Sequence, residues 1–243
     1  MGSKKVKAIF FDLDGTLCDP GSSWDEGIAA ALQLFESRHP ERASELKASW
    51  EQTGKVLRSE LIAGRLLMRE FIEQRYPRAL SEVGIVDEAL GSELNDCLSE
   101  TRKHALRPMP GAHETLRQLR KDFHLGIITN GSDAGYADSQ MATIQQIGVQ
   151  DMVDAIWISD RVGSRKPDPG IFSAALEGAD VSSGEAVYVG DSYEADIIGA
   201  NGVGMLSILI DPMDVFEPAP DSVRPDRIIH SISDVIPIVK ALA

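Results

Sequence analysis

Short apolar runs that stop abruptly at a small polar residue recur along this 243-residue chain, with helix-like stretches between them. The first run covers residues 6–11, and the next does not come until 125–128. Others lie at 155–159, 186–189 and 205–210, with a weaker one at 227–229. Patterns of helical period occupy 112–121, 138–147, 169–176, 193–200 and 233–242. Strand alternating with helix means parallel pairing with helices on both faces of the sheet, so the pattern predicts an α/β fold.

Between Cys18 and Arg107 the alternation disappears. Ala29, Leu32 and Phe35 recur at near-helical spacing, as do Leu57, Leu61, Ile62, Leu66, Phe71 and Ile72, and then Ala89, Leu90, Leu94 and Leu98. About ninety residues without a strand are too many for a loop and predict an inserted subdomain of packed helices. Pro108 and Pro110 mark the return to the sheet. The expected division is 1–17 with 108–243 as the core, and 18–107 as the helical insertion.

Candidate chemistry sits where the apolar runs end. Asp12 and Asp14 follow the first run, with Leu13 between them pointing away. An aspartate appended to a buried strand costs desolvation energy unless a cation or donors meet it, and Mg²⁺ prefers such hard oxygen ligands. The competing reading makes both aspartates ordinary turn residues. Thr129, Asn130 and Gly131 end the second run; a hydroxyl and glycine-freed backbone N–H groups suit an anion, although a plain strand exit looks the same. Lys166 stands before Pro167, which stiffens it, and Asp168-Pro169 opens a helix. Gly190-Asp191-Ser192 end another run, and Asp196 lies in the first turns of the following helix, where acidic residues also complement the helix dipole. In parallel sheets ligands bind beyond the carboxyl ends of the strands, so all four segments converge on one rim.

In this order, Asp12-Leu13-Asp14-Gly15-Thr16, Thr129-Asn130-Gly131, Lys166-Pro167 and Gly190-Asp191-Ser192 with Asp196 resemble the four motifs of the haloacid dehalogenase-like (HAD) phosphohydrolases. The resemblance covers nearly the whole chain. It implies a Rossmann-like core with residues 18–107 as a helical cap, and a phosphatase acting through an aspartyl-phosphate. Asp12 would be the nucleophile and Asp14 the general acid and base. Thr129, Asn130, Gly131 and Lys166 would hold the phosphate; Asp12, the backbone carbonyl of Asp14 and Asp191 would hold Mg²⁺, with Ser192 and Asp196 supporting them from behind. An aspartate at position 14 favours C–O–P chemistry over carbon–halogen or phosphonate cleavage. Phosphosugar mutases share both aspartates and form the alternative enzyme reading; a non-catalytic binding protein is the other. Sugar phosphates, nucleoside monophosphates and phosphoglycolate are the expected substrates.

A formal net charge of −14 and a pI near 4.7 argue against nucleic acid or an anionic membrane as partner. Cys18 and Cys97 are too few for a disulfide framework, which points to a reducing cytoplasm. The basic start is not followed by an apolar stretch long enough for a leader, and no run approaches a membrane span. His39, His104, His113, His124 and His230 lack metal-ligand spacing and read as packing or surface residues. Trp24, Trp50, Lys55, Arg58 and Arg65 in the insertion read equally as substrate contacts or as helix-face residues.

Overall fold

The computed structural model describes residues 5–63, 65, 66, 68–131, 137–217, 219 and 222–243, apart from the side chains of residues 62, 68, 69 and 137–139. The expected core position of Ile62, the glycine-adjacent residues 132–136 and the start of the chain (residues 1–4) therefore lie outside it. Two compact units are present: Met1–Pro20 with Arg107–Ala243, and Gly21–Leu106.

The first unit is built on a six-stranded parallel sheet in the order β5-β4-β1-β6-β7-β8. Its strands are β1 (Ala8–Phe11), β4 (His124–Thr129), β5 (Ala155–Ile158), β6 (Ala186–Gly190), β7 (Leu206–Ile210) and β8 (Arg227–Ile229). The chain builds outward from β1 through β4 to β5, then crosses back to β6 on the other flank, so the direction of progress reverses beside β1. All four β1 residues are fully buried, as a central strand covered on both faces requires. Phe10 meets Trp157 edge-on at 5.6 Å, and Phe172 meets Tyr188 edge-on at 5.2 Å. Phe11 is in register with Ile127 on one side and Val189 on the other, so Asp12 emerges level with the ends of both neighbours.

The flanking helices are α5 (Ala112–Leu119), α6 (Ala137–Gln146), α7 (Ser159–Val162), α8 (Pro169–Gly178), α9 (Ile198–Val203) and α10 (Val235–Lys240). Their ends differ from the sequence pattern by a few residues, for local reasons. Tyr193–Ile197 forms a π-turn before α9, and a 3-10 turn at Ile232–Asp234 precedes α10. The insertion also begins later than expected. β2 (Cys18–Asp19) pairs antiparallel with β3 (Arg107–Pro108), and this ribbon keeps both segments with the sheet unit.

The second unit consists of α1 (Pro20–Glu36) beyond its first residue, α2 (Ala43–Ile62), α3 (Met68–Glu82) and α4 (Glu88–Ala105). Phe35, Leu46, Trp50, Tyr76, Leu80, Leu94 and Leu98 form its core. Phe71 and Leu57 are buried as expected, whereas Ala29 and Ala89 are exposed, because Ala31 and Leu90 carry the buried faces of α1 and α4. Trp50 lies beneath the Arg75 guanidinium, 3.2 Å from its ring centre, and Arg65 pairs with Glu60. Among the described residues no helix is long and apolar enough to cross a membrane.

Candidate active site

Asp12 leaves β1 directly, its N–H donating to the Val189 carbonyl at 2.9 Å, and the residue is 7% exposed. The cation that burial demands is Lys166. Its Nζ donates to Asp12 Oδ1 at 2.6 Å, to Asp196 Oδ1 at 2.6 Å and to Tyr188 Oη at 2.8 Å, which uses all three ammonium protons. Burial works against the charge on Lys166, but the two carboxylates outweigh it and hold the ammonium above its usual range.

Lys166 is fixed from its backbone as well. The Asn130 amide accepts from its N–H at 2.9 Å and donates to its carbonyl at 3.1 Å, so the side chain of Asn130 clamps the Lys166 peptide. Asp196 is equally tied down, its Oδ2 accepting from the Ser192 N–H at 2.9 Å. Gly190 allows this approach, since a Cβ there would lie 2.3 Å from Asp196 Oδ2. Ser192 Oγ accepts from the Ala195 N–H and starts the π-turn that carries Asp196 back under the strand tip.

Asp12, Asp191 and Asp196 each offer a carboxylate oxygen, and these atoms lie within 4.8 Å of one another. Burial pushes Asp191 up to about 6, with Asp196 adding to it. Asp12 is also pushed up, by burial first and then by Asp196 and Asp191, against the opposing pull of Lys166. Three carboxylates against one ammonium leave two excess negative charges when all are ionised, and hard oxygen donors so arranged suit a divalent cation. Gly15 adopts φ +81°, and a Cβ there would lie 2.1 Å from Asp191 Oδ2, so the turn after Asp14 packs directly on this carboxylate. A cleft of about 490 Å³ opens beside Asp191, lined also by Tyr193, Asp211 and Phe216.

Asp14 is exposed, and its Oδ2 accepts from Gln140 Nε2 at 3.0 Å. The same nitrogen donates to Thr129 Oγ1 at 2.9 Å. One expectation needs correction: the Gly131 N–H is not open to an anion but donates to Ser159 Oγ at 2.9 Å. Cys18 is buried and pushed up to about 12, chiefly by burial, so it is no nucleophile.

A family model for haloacid dehalogenase-like hydrolases matches residues 6–204. The chain belongs to the haloacid dehalogenase-like hydrolases. Among curated relatives of this hydrolase, the glyceraldehyde 3-phosphate phosphatase of Pyrococcus furiosus is 39% identical, covering 84% of this chain and 80% of that protein. The ribulose-1,5-bisphosphate 5-phosphatase of Halopiger xanaduensis is 31% identical and covers 84% of each. Like these relatives, the haloacid dehalogenase-like hydrolase described here is a phosphoric monoester hydrolase. The HAD-hydrolase YfnB of Bacillus subtilis, solved bound to magnesium, shares the fold with a TM-score of 0.73 at 24% identity, covering 97% of this chain and 99% of that one.

The structure brings Asp12, Lys166, Asp191 and Asp196 into one cluster. Asp14 and Thr129 share a single partner beside it. The sequence reading missed Tyr188 and Gln140. Tyr188 reads as one more apolar position of β6, yet its hydroxyl meets Lys166, Asp196 and the Ile128 carbonyl.

Proposed function

We propose that this hydrolase dephosphorylates a small sugar-phosphate-like metabolite through a phosphoryl group carried on Asp12. The observation that carries the reading is the buried Asp12 carboxylate at a strand tip, 2.6 Å from the Lys166 ammonium, with a second carboxylate two residues on. Asp12 needs no deprotonating base: its oxygen bonds to phosphorus as the ester P–O bond breaks, dividing one hard displacement into two. Asp14 gives a proton to the departing alkoxide. It then takes one from the water that attacks phosphorus, which releases phosphate and restores Asp12. The positive charge of Lys166, whose protons are taken by Asp12, Asp196 and Tyr188, and the Thr129 hydroxyl offset the charge that the transferring group spreads over its other oxygens.

Mg²⁺, held by Asp12, Asp191 and the Asp14 carbonyl, would supply the positive charge that lets a dianionic phosphate approach a carboxylate. Asp196 is bound up with Lys166 and the Ser192 N–H, and its part is to hold the lysine. The names of the relatives, both phosphatases of phosphorylated sugars, support that substrate class. The reducing cytoplasm is the compartment that suits two free thiols, Cys18 and Cys97.

The test is a panel of phosphorylated metabolites assayed for released phosphate with Mg²⁺, run beside Asp12→Asn. Release from triose or pentose phosphates ahead of nucleoside monophosphates is expected, with turnover lowered at least about a thousandfold by the substitution. Near-normal turnover by Asp12→Asn refutes the nucleophile assignment.

A further inference from the structure

Gln140 belongs to none of the four motifs, yet it touches two of them. It lies on α6 with 7% of its surface exposed, and its Nε2 is 3.0 Å from Asp14 Oδ2, 2.9 Å from Thr129 Oγ1 and 3.0 Å from the Asn130 carbonyl oxygen. An amide nitrogen has two protons and accepts nothing, so Gln140 is the donor throughout, its two protons shared among the three acceptors. Two consequences follow from that polarity. The Thr129 oxygen, already accepting from the amide, keeps its own proton available to donate to an anion. The Asp14 carboxylate, otherwise exposed, has one oxygen pinned, which restricts its rotation while leaving the residue open to proton exchange.

We infer that Gln140 is a positioning residue that orients both the Asp14 carboxylate and the Thr129 hydroxyl for phosphoryl transfer. The inference rests on the proposed roles of Asp14 and Thr129. It also makes a distinctive kinetic claim, because Asp14 acts twice: as an acid toward the leaving group and as a base toward water. An aryl phosphate with a good leaving group bypasses the first task but not the second.

The experiment compares Gln140→Leu, Gln140→Glu and Asp14→Asn on p-nitrophenyl phosphate and on glycerol 3-phosphate, with Mg²⁺, by rapid mixing and steady state. Gln140→Leu removes the donor at nearly constant volume, and Gln140→Glu replaces it with an acceptor, so either one that folds suffices. The expected result is a loss of kcat/KM at least about tenfold on glycerol 3-phosphate and several-fold smaller on the aryl ester. The aryl ester should also show a burst of nitrophenolate, with acid-stable phosphate accumulating on Asp12. Equal losses on both esters without a burst mean that Gln140 merely anchors α6, and overturn the inference. If Asp14→Asn shows the leaving-group pattern and the Gln140 variants do not, the inference falls and the functional reading stands. If Asp14→Asn treats both esters alike, the acid–base reading falls and takes the inference with it.

Discussion

Replacing Lys166 with methionine keeps the stem of the side chain and deletes the cation shared by Asp12 and Asp196. The ligand oxygens of Asp12, Asp191 and Asp196 lie within 4.8 Å of one another. At that separation, and at an effective dielectric constant of about 20, one pair of like charges repels by about 3.5 kcal/mol. That agrees with the roughly 3–5 kcal/mol usually lost when one partner of a buried ion pair is removed. For a chain of this size, about 2–4 °C of Tm per kcal/mol gives a drop of about 7–14 °C in the transition of the sheet unit.

The loss carries a sign in pH. Without the ammonium Asp12 and Asp191, already raised, lie still further above their unfolded values, and protonation relieves the repulsion. The folded state therefore takes up protons that the unfolded state releases, and stability falls as pH rises through the raised values. Lys166→Met should sit near wild type at pH 5 and far below it at pH 8, measured by thermal melts in a chelator. Adding Asp196→Asn should recover part of the loss, because it removes one of the stranded charges. A Lys166→Met melting curve within about 1 °C of wild type at pH 8, or a loss independent of pH, would refute the picture of mutually repelling carboxylates held by Lys166.

Divalent cation binding should weaken in acid, because Asp191 is raised to about 6 and must lose its proton to act as a ligand. Below that pH the apparent Mg²⁺ affinity should fall about tenfold per unit from this group. A Tm gain on adding Mg²⁺ that is no larger at pH 8 than at pH 5 would count against Asp191 as a ligand. Gly15→Ala should abolish turnover and Mg²⁺-induced stabilisation together, since its Cβ would meet Asp191 Oδ2 at 2.1 Å in a backbone with φ +81°. Unchanged calorimetric Mg²⁺ binding by that variant would contradict the packing.

Legibility in the sequence followed the range of the interaction. β1 and β6 announce themselves because a strand buried on both faces must be apolar throughout, and the polar residue that ends each one is where the site begins. What depended on distant partners was hidden. Tyr188 counts as apolar until the lysine 22 positions earlier is seen to donate to its hydroxyl. Gln140 sits on a helix whose pattern offers no reason to prefer it over Gln145 or Gln146, and only the fold brings it to Asp14, 126 positions away. The Gly131 N–H looked available because Ser159, 28 residues on, cannot be anticipated from a strand-exit pattern. Alanine misled for another reason: Ala29 and Ala89 fit a helical stripe, but so small a side chain gains little from burial and can sit on either face.

The division of labour proposed for Asp12 and Asp14 follows from burial rather than from residue type. Leu13, fully buried between them, fixes the backbone while the two carboxylates enter different surroundings. Asp12 is shut from bulk water and paired with a cation whose own surroundings hold it charged, which opposes the upward push of burial and aims the carboxylate by contacts at 2.6 Å. A nucleophile needs that arrangement and an acid–base group cannot use it, because a proton carrier must be open to the group it serves. Asp14 is exposed and held through one amide, which fixes its direction without blocking exchange. The same two aspartates on an exposed turn would be equivalent acids; environment separates their chemistry, as it does wherever paired carboxylates take different roles. Restoring a carboxylate at the wrong one of the two positions should therefore rescue nothing.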